Sequence, residues 1–430
     1  MKRSAPSPTK SGPKAKKPRP EVPEYHSTPS MRDETGDIIW PAPSAQIEGA
    51  RNFIKEWYVV LQDSFGHAFL TILFFGSAAA GKKTLIIPDK DADGLTSGAI
   101  LQKTLVLLGL DPSLICAHLL QKGSNIHIEN ERSIMASYKP EYIFVLDQGS
   151  RKSAPVIDGP HKALVIDHHF ALDDDFPQGS EHVSACTHGD LGNTLKWEPP
   201  FPDMKATFKA YTKKAINDAV SLINAPRRTS TYDVPGAWQA LISVESPREL
   251  LKNPTLLSAR AEVNAEVERC AHTAPKFSAD GRIAVFRINS AAQIHPVIAT
   301  RWAGHLQSPK LEVILVANEG YLPDLVNFSC RVPRSARARE PPVNIIEVLK
   351  AIADNATDPT LRDRLGESFA RGHKEASGGI VPRKEFEELI EVLEIGKKAE
   401  GSSPVKAKAK NAAPKQANTL MNYFGKPASK

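Results

Sequence analysis

The chain of 430 residues is 41% hydrophobic, which is enough for two or three domains with buried cores, and no apolar run reaches the roughly 18 residues that a membrane span needs. Its four cysteines are scattered without a CxxC pair and no signal peptide is visible, so we expect a soluble intracellular protein with reduced thiols and no structural zinc. The net charge of +6 is unevenly distributed. Residues 1–20 and 397–430 each have a net charge of +7, so the residues between them have a net charge of −8. Basic tails on an acidic body are common in proteins that bind nucleic acid or a transport receptor.

The N-terminal segment, residues 1–43, is rich in Pro, Ser and Lys and is predicted to be disordered. Within it, "KAKKPRP" (14–20) and the basic pair at positions 2 and 3 resemble a bipartite nuclear localisation signal. A solvated tail without a partner is the alternative. From Ser44 onward apolar residues recur at helical spacing, which predicts a helix with Ser44 as its N-cap.

Short apolar strands alternate with helices between residues 84 and 166. This pattern predicts a parallel α/β sheet that is covered by helices on both faces. The predicted elements are, in order, strand 84–88, helix 95–109, strand 114–120, helix 130–138, strand 142–146 and strand 163–166.

The second half of the chain carries another α/β pattern. A charged middle, about 204–273, is predicted to be mostly helical. The elements expected after it are a strand at 281–288, a helix at 297–306, strands at 311–318 and 325–332, and then helices that end near Leu393. Residues 397–415, rich in Lys, Ala, Ser and Pro, are typical of a flexible linker.

Three of the predicted strands end in acidic residues. These are Asp89, Asp91 and Asp93 after residue 88, Asp147 after residue 146, and Asp167-His168-His169 after residue 166. Since the carboxyl ends of parallel strands meet at one edge of a sheet, we expect a pocket of carboxylates and imidazoles with almost no Lys or Arg beside it. Ionised carboxylates repel one another and are costly to bury, so a divalent cation is expected between them.

The donor types narrow the choice of metal. Hard oxygen ligands with an imidazole suit Mn²⁺ or Mg²⁺, and a carboxylate between two strand ends could bridge two ions in a phosphodiester displacement. The alternative is that acidic residues after strands simply cap helices and loops. Three such ends together, one of them Asp-His-His, favour the metal.

Several segments together resemble the DHH phosphoesterase superfamily. "DKDADGLTS", "VLDQGS" and "VIDHHF" are similar to its first three motifs, "INAPRR" to its Asn-Ala-x-x-Arg segment, and "ARAEVNAEVER" to its linker helix. "HPVIATRWAGHL", "FSCRV" and "RGHKEASGG" resemble elements of the associated DHHA1 domain. The resemblance runs in order over about residues 80–396, and the RecJ-type single-strand exonucleases look like the nearest branch, with this chain as a eukaryotic, fungal-type nuclear member.

The resemblance implies an architecture and a set of roles. It implies an α/β fold with two domains, a DHH catalytic domain at 44–200 and a smaller DHHA1 substrate-binding domain at 276–396, joined by a helical region at 201–275 and flanked by disordered basic tails at 1–43 and 397–430. The implied metal ligands are Asp89, Asp91, Asp93, Asp147, His168 and Asp190. Asp167 would orient its neighbours and His169 would face the scissile phosphate, so that Asp167, His168 and His169 form the implied catalytic set.

The fourth motif of the superfamily departs from its usual pattern here. "THGDLG" is the best match and provides Asp190, but only 22 residues separate Asp167 from Asp190, where the family normally has a helical segment. Either this branch is pared down or a stretch is missing from the chain. We therefore expect the next element of the sheet to be absent or replaced by a loop.

The DHHA1-like half would hold the substrate. Its Gly-rich "GHKEASGG" would let backbone N–H groups approach a phosphate, and its arginines would pair with phosphates along a strand. The phosphate-binding residues expected here are Arg227, Arg228, Arg331, Gly372, His373, Gly378 and Gly379. A helix-capping loop and surface arginines are the alternative.

The last residues carry a separate pattern. "TLMNYF" places Leu420, Tyr423 and Phe424 at the spacing of a sliding-clamp-binding peptide, in which an aliphatic and two aromatic side chains fill an apolar pocket. Gln416 lies one residue too early for the first position of that motif. A chance pair of aromatic residues in a basic tail is the alternative.

Three functions follow from these observations. The first is a nuclear, single-strand-specific 5′ exonuclease with two Mn²⁺ or Mg²⁺ ions that acts on DNA in replication or repair. The second is a phosphoesterase of small substrates such as short oligonucleotides, cyclic dinucleotides or pyrophosphate-like compounds. The third is a non-catalytic replication scaffold. The basic tails and the arginines favour the first, and the intact first three motifs argue against the third.

Overall fold

The computed structural model describes residues 31–32, 34–36, 38–40, 42–59, 82–169, 175–184 and 204–396. Most of the two predicted tails lies outside these ranges, as do Asp190 and the clamp-like peptide with Leu420, Tyr423 and Phe424. One difference concerns the segment predicted to be disordered, where β1 (Met31–Arg32) and β2 (Ile38–Trp40) form an antiparallel pair.

The first sheet has five parallel strands in the order β4-β3-β5-β6-β7. Its strands are β3 (Thr84–Pro88), β4 (Ile115–Ala117), β5 (Tyr142–Leu146), β6 (Lys162–Asp167) and β7 (Ser180–Ser184). Every residue of β3 and β5 is buried, as continuous apolar runs in a parallel sheet require. The predicted parallel α/β sheet is confirmed.

Helices cover both faces of this sheet. They are α1 (Ser44–Val59), α2 (Ala92–Leu107) and α3 (Glu129–Ser137). Because side chains alternate along a strand, Phe144 packs with Phe53 and Leu105 on one face, whereas Ile143 packs with Met135 on the other. The two cores hold the strand ends rigidly at one edge.

Helix α2 begins three residues before the predicted start. Asp91 is its N-cap and accepts a hydrogen bond from the Gly94 backbone N–H at 3.4 Å. Asp93 therefore lies in the first turn of the helix. The helix gives way to Gly109, whose φ of 97° suits a residue without a side chain at a helix end.

The middle of the chain is helical, as predicted. It contains α4 (Lys205–Tyr211), α5 (Lys213–Ile223), α6 (Val234–Ile242), α7 (Pro247–Leu250) and α8 (Pro254–Cys270). Leu222 and Trp238 of this region pack against Leu95 and Ala99 of α2. Because of this packing, the 3₁₀ turn Pro226–Arg228 lies beside the first turn of α2.

The second sheet has six strands in the order β12-β13-β11-β10-β9-β8, and only the β9–β10 pair is parallel. Its strands are β8 (Lys276–Phe277), β9 (Ile283–Ile288), β10 (Val313–Asn318), β11 (Leu325–Arg331), β12 (Phe369–His373) and β13 (Ala376–Pro382). The helices are α9 (His295–His305), α10 (Ile345–Asp354), α11 (Leu361–Arg364) and α12 (Arg383–Val392). The two-domain α/β fold class is confirmed.

The prediction of helices alone after residue 332 is wrong, because β12 and β13 form a hairpin there. A Cβ on Gly378 would lie 2.3 Å from the Phe328 carbonyl oxygen, and one on Gly379 would lie 2.9 Å from the Phe328 ring. These glycines allow β13 to pair closely with β11. In "KEASGG", Lys374 and Glu375 form the hairpin turn, and "ASGG" (376–379) belongs to the strand. Glycine and polar residues have low strand propensity, which hid this strand in the sequence.

The expectation that the sheet would lack its next element is also wrong. Strand β7 pairs with β6 along its whole length, from Ala163↔Ser180 to Asp167↔Ser184. Asp190 lies beyond the described residues that end at 184. In the described part of the chain, no helix is long and apolar enough to span a membrane.

Candidate functional site

The acidic residues meet at the carboxyl edge of the first sheet, as the strand ends predict. The Asp89 N–H donates to the Leu146 carbonyl oxygen at 2.9 Å, and the Asp147 N–H donates to the Ile166 carbonyl oxygen at 2.7 Å. The parallel ladder thus continues one residue past each strand. Asp89 and Asp147 are therefore held side by side.

Two groups of side chains at this edge could hold a metal ion. One consists of Asp89, Asp91 and Asp147, and the other of Asp147, His168 and His169, with the ligand atoms of each group within 4.8 Å of one another. Asp147 belongs to both groups, so its carboxylate is placed to bridge two ions.

The remaining ligands expected from the sequence are placed differently. Asp93 is only 5% exposed in the first turn of α2 and belongs to neither group. Asp190 lies outside the described residues. Their roles as ligands stay predictions.

The surroundings of Asp147 fit a cation. Its Oδ1 is buried without a hydrogen bond, although His168 Nε2 lies 3.1 Å away. Burial, together with the neighbouring charges of Asp91 and Asp89, raises the pKa of Asp147 to about 7 even though His168 opposes the shift. Carboxylate oxygens and imidazole nitrogens without a thiolate suit a hard divalent ion such as Mn²⁺ or Mg²⁺.

The Asp167 carboxylate stabilises the turn Asp167-His168-His169 through hydrogen bonds. Its carboxylate accepts hydrogen bonds from the N–H groups of Ser150, His168 and His169 at 3.0, 2.8 and 3.2 Å, and from His169 Nδ1 at 2.7 Å. Burial would raise the pKa of Asp167, but these bonds hold it well below its usual range. Burial lowers the pKa of His169, but the Asp167 carboxylate outweighs this effect and raises the pKa to about 9. The contact with Asp167 thus fixes the orientation of the His169 ring.

Gly94 is where α2 meets the Asp89 backbone. A Cβ on Gly94 would lie 2.5 Å from the Asp89 nitrogen and 2.6 Å from its carbonyl oxygen. No side chain fits at that distance, so glycine at this position allows Asp89 and Asp91 to stand on either side of one tight turn.

We expect Gly94→Ala to destabilise the protein by about 1–3 kcal/mol, because the added methyl group overpacks against backbone that cannot rotate away. Chemical denaturation of the purified variant measures this. Gly49→Ala is the matched control: Gly49 lies in α1 with nothing within 4 Å of its Cβ position. That change should be neutral or stabilise by roughly 0.5–1 kcal/mol. Equal effects of the two substitutions would contradict the packing account.

Arginines lie closer to the carboxylates than the sequence led us to expect. Asn224 Oδ1 accepts hydrogen bonds from the Ala92 N–H at 3.3 Å and from Arg227 Nε at 3.0 Å, and Arg227 Nη2 lies 3.6 Å from Asp91 Oδ2. Lys90 Nζ lies 3.3 Å from Asp89 Oδ1. The expectation of a pocket with almost no Lys or Arg beside it is wrong, because the turn after α5 docks on α2.

The Asp91 carboxylate reflects this arrangement. Burial would raise its pKa, but the Arg227 charge, the Gly94 N–H and the Lys90 charge together hold the pKa below its usual value. Asp91 is therefore ionised and has a cation on one side, while its other neighbours are carboxylates.

A second cluster carries positive charge with few acids near it. Arg228 is partly buried, and burial and the Arg227 charge lower its pKa to about 9 although Asp91 opposes the shift. His295, at the start of α9, is 4% exposed and its Nδ1 has no hydrogen-bond partner. Burial and the charges of Arg331 and Arg228 lower the pKa of His295 to about 3. Arg331 donates to Ser329 Oγ at 2.9 Å and to the Cys330 carbonyl oxygen at 2.8 Å.

The β12–β13 hairpin brings one more predicted residue to the metal groups. The His373 ring stacks on His169 with centroids 5.9 Å apart and lies 6.2 Å from the His168 ring. Gly372, with φ of 106°, allows the strand to approach Ala376 closely. Gly378 and Gly379 lie in the β11–β13 ladder, where their backbone pairs with Ser329 and Phe328.

Sequence reasoning missed the roles of Asn224 and His295, although both lie in segments that resemble the superfamily. Neither residue type, taken alone, marks a site: an Asn often caps a helix, and a lone His is often a core residue. The packing of the helical middle against α2 places Asn224 beside Asp91 and Arg227, and the fold of the second half buries His295 near Arg228 and Arg331.

Comparisons with known proteins agree with this architecture. No family model and no curated protein matches the chain. A solved DHH domain, described as coming from a member of a family of ribosomal proteins, superposes with a TM-score of 0.51 at 15% identity and covers 83% of this chain and 100% of its own.

Two solved RecJ structures are also similar. RecJ from Thermus thermophilus in complex with Mn²⁺ has a TM-score of 0.45 at 16% identity and covers 76% of this chain, which spans 55% of that longer protein. Another RecJ exonuclease bound to manganese has the same score and identity and is covered over 95% of its length. The chain has the fold of the solved DHH domain.

Proposed function

We propose that this protein is a metal-dependent phosphodiesterase, and more specifically a single-strand-specific 5′ exonuclease that acts on DNA. The observation that carries the proposal is the pair of ligand groups that share Asp147, placed beside a cluster of partly buried arginines. The carboxylates of the two ligand groups are not fully neutralised by nearby cations, and the arginines beside them have few acidic partners. A metal-bound phosphodiester supplies both missing partners.

The residues have distinct tasks in this proposal. Asp89, Asp91, Asp147 and His168 would hold two Mn²⁺ or Mg²⁺ ions, which when bound neutralise phosphate charge and favour attack by water. His169, whose Nδ1 is held by Asp167, would face the scissile phosphate. Arg228 and Arg331 pair with phosphates along the strand and so orient it.

We favour nucleic acid over a small phosphoester because the arginines come from both halves of the chain: Arg227 contacts Asp91, and Arg331 ends β11 in the second sheet. The surplus of basic residues in the two tails would add sequence-independent affinity for a polyanion. We also propose a nuclear location and a role in replication or repair, supported by the basic motif at 14–20. The peptide with Leu420, Tyr423 and Phe424 is proposed to bind a sliding clamp.

Hydrolysis is expected to require a divalent ion, with Mn²⁺ at least as effective as Mg²⁺, because imidazole joins the carboxylates among the ligands. The test is digestion of end-labelled single-stranded DNA, single-stranded RNA and a dinucleotide with each metal and with excess EDTA. Progressive shortening of 3′-labelled single-stranded DNA only with metal supports the proposal. Full hydrolysis in EDTA, or no hydrolysis of any substrate, contradicts it.

A further inference from the structure

A group of charged residues lies at the seam between the two sheets, next to the metal groups but separate from the arginines described above. Arg151, four residues after Asp147, contacts the Glu367 carboxylate just before β12. Arg371 Nε in β12 donates a hydrogen bond to the Glu367 carbonyl oxygen at 2.7 Å. Glu367 thus joins two arginines that come from different halves of the chain.

Positive charge exceeds negative charge at this seam. The Arg151 side chain is 30% exposed, and burial and the nearby Arg371 charge lower its pKa. Burial and then the charges of Arg151 and Arg371 lower the pKa of His127 to about 4. A third arginine, Arg132, is already paired with Asp158 at 2.6 Å and with Glu129 at 3.1 Å.

Residues next to the two seam arginines contact the candidate metal site. The N–H of Ser150, the residue before Arg151, donates to Asp167 Oδ2 at 3.0 Å. Arg371 lies two residues before His373, whose ring stacks on His169. These contacts are on the side of Asp167, whereas Arg227 contacts Asp91. The chain segments that carry Arg151 and Arg371 therefore adjoin the metal groups at Asp167 and His169.

We propose that Arg151 and Arg371 bind a second phosphate group of the substrate, adjacent to the phosphate that is cleaved. This inference rests on the proposed function and narrows its substrate class to molecules with at least two phosphates in series. In the free protein Glu367 holds Arg151. In the complex the phosphate takes the place of the Glu367 carboxylate, which is 65% exposed and can turn to solvent.

The test uses the full chain in EDTA, so that binding is measured without cleavage. The probes are 3′-fluorescein-labelled dT4 with and without a 5′-phosphate, and affinity is read by fluorescence anisotropy. Arg151→Gln and Arg371→Gln are each expected to weaken binding about tenfold, as loss of a charge-assisted phosphate contact does. Glu367→Gln is expected to bind at least as tightly as wild type, because it releases Arg151. Arg337→Gln, an exposed site, is the control.

Whether Glu367→Gln strengthens or weakens DNA binding distinguishes a phosphate subsite from a pair that only joins the two halves of the chain. If the Arg151–Glu367 pair only joined the two halves, Arg151→Gln and Glu367→Gln would weaken binding alike, and that result would overturn the proposal. Arg371 is exposed, so the Arg371→Gln variant should fold. Its affinity tests the proposal even if Arg151→Gln fails to fold. Unchanged affinity in Arg371→Gln also overturns the proposal.

The two probes identify the source of the phosphate. Weakening confined to the 5′-phosphorylated probe assigns the subsite to a terminal phosphate, and weakening of both probes assigns it to the backbone. The subsite and the proposed function fail separately. If wild type hydrolyses DNA with Mn²⁺ but Arg371→Gln binds normally, only the subsite is wrong. If wild type hydrolyses nothing, the proposed function is wrong whatever the affinities are.

Discussion

Asp147→Asn is expected to lower the rate of metal-dependent hydrolysis by at least about 10³-fold, since the carboxylate shared by both ligand groups is lost and its metal contribution is worth several kcal/mol. The same change should make the metal-free protein more stable. Burial and like charges raise the pKa of Asp147 to about 7 in the folded chain, from an ordinary 3.8. Folding is therefore penalised as pH rises above about 4, and the penalty is complete above about 7.

The stability gain of Asp147→Asn should be near zero at pH 4 and reach on the order of a few kcal/mol at pH 8. Urea denaturation in EDTA at the two pH values measures it. Asp158→Asn is a suitable control, since that carboxylate is 78% exposed and pairs with Arg132 at the surface. Loss of activity together with loss of stability at pH 8 would instead show that Asp147 is a structural residue.

Arg228→Met is expected to weaken binding of single-stranded DNA by about 10–100-fold, because a charge-assisted hydrogen bond to a phosphate is worth roughly 1.5–3 kcal/mol. The logarithmic salt dependence of binding should fall by about 0.7 for the lost phosphate contact. The free protein should not lose stability, since burial and the Arg227 charge already disfavour the Arg228 cation. Anisotropy titrations of labelled oligothymidylate in EDTA at several salt concentrations measure both quantities.

Arg334→Met is the matched control, because Arg334 is exposed in the 3₁₀ turn Arg334–Ala336. It should change neither the affinity nor the salt dependence beyond a small electrostatic effect. If Arg228→Met binds DNA like wild type but unfolds more easily, Arg228 stabilises the fold and does not contact substrate.

Much of the fold could be read from the sequence because the first sheet is buried on both faces. Continuous apolar runs such as Tyr142–Leu146 can be little else than parallel strands between helices. The hairpin of β12 and β13 could not be read in this way. Its middle, residues 371–379, is made of glycine, polar and charged residues together with one alanine, and the close approach of Gly378 and Gly379 to Phe328 of β11 is visible only in the fold.

The site was predictable to the extent that it depends on strand ends. Asp89, Asp147 and the Asp167-His168-His169 turn follow three neighbouring strands, so topology alone brings them together. The approach of Arg227 to Asp91 depends instead on how α5 and α6 pack against α2, and nothing local in the sequence encodes that contact. The seam residues Arg151 and Arg371 come from separate domains and share no local pattern.

The most direct test of the metal centre is a Mn²⁺ titration of wild type and Asp147→Asn, with free Mn²⁺ followed by electron paramagnetic resonance. We predict that wild type binds two ions and that Asp147→Asn loses the binding of both or weakens it at least tenfold, because both ligand groups contain Asp147. Equal Mn²⁺ binding by the two proteins would contradict a metal centre built around Asp147.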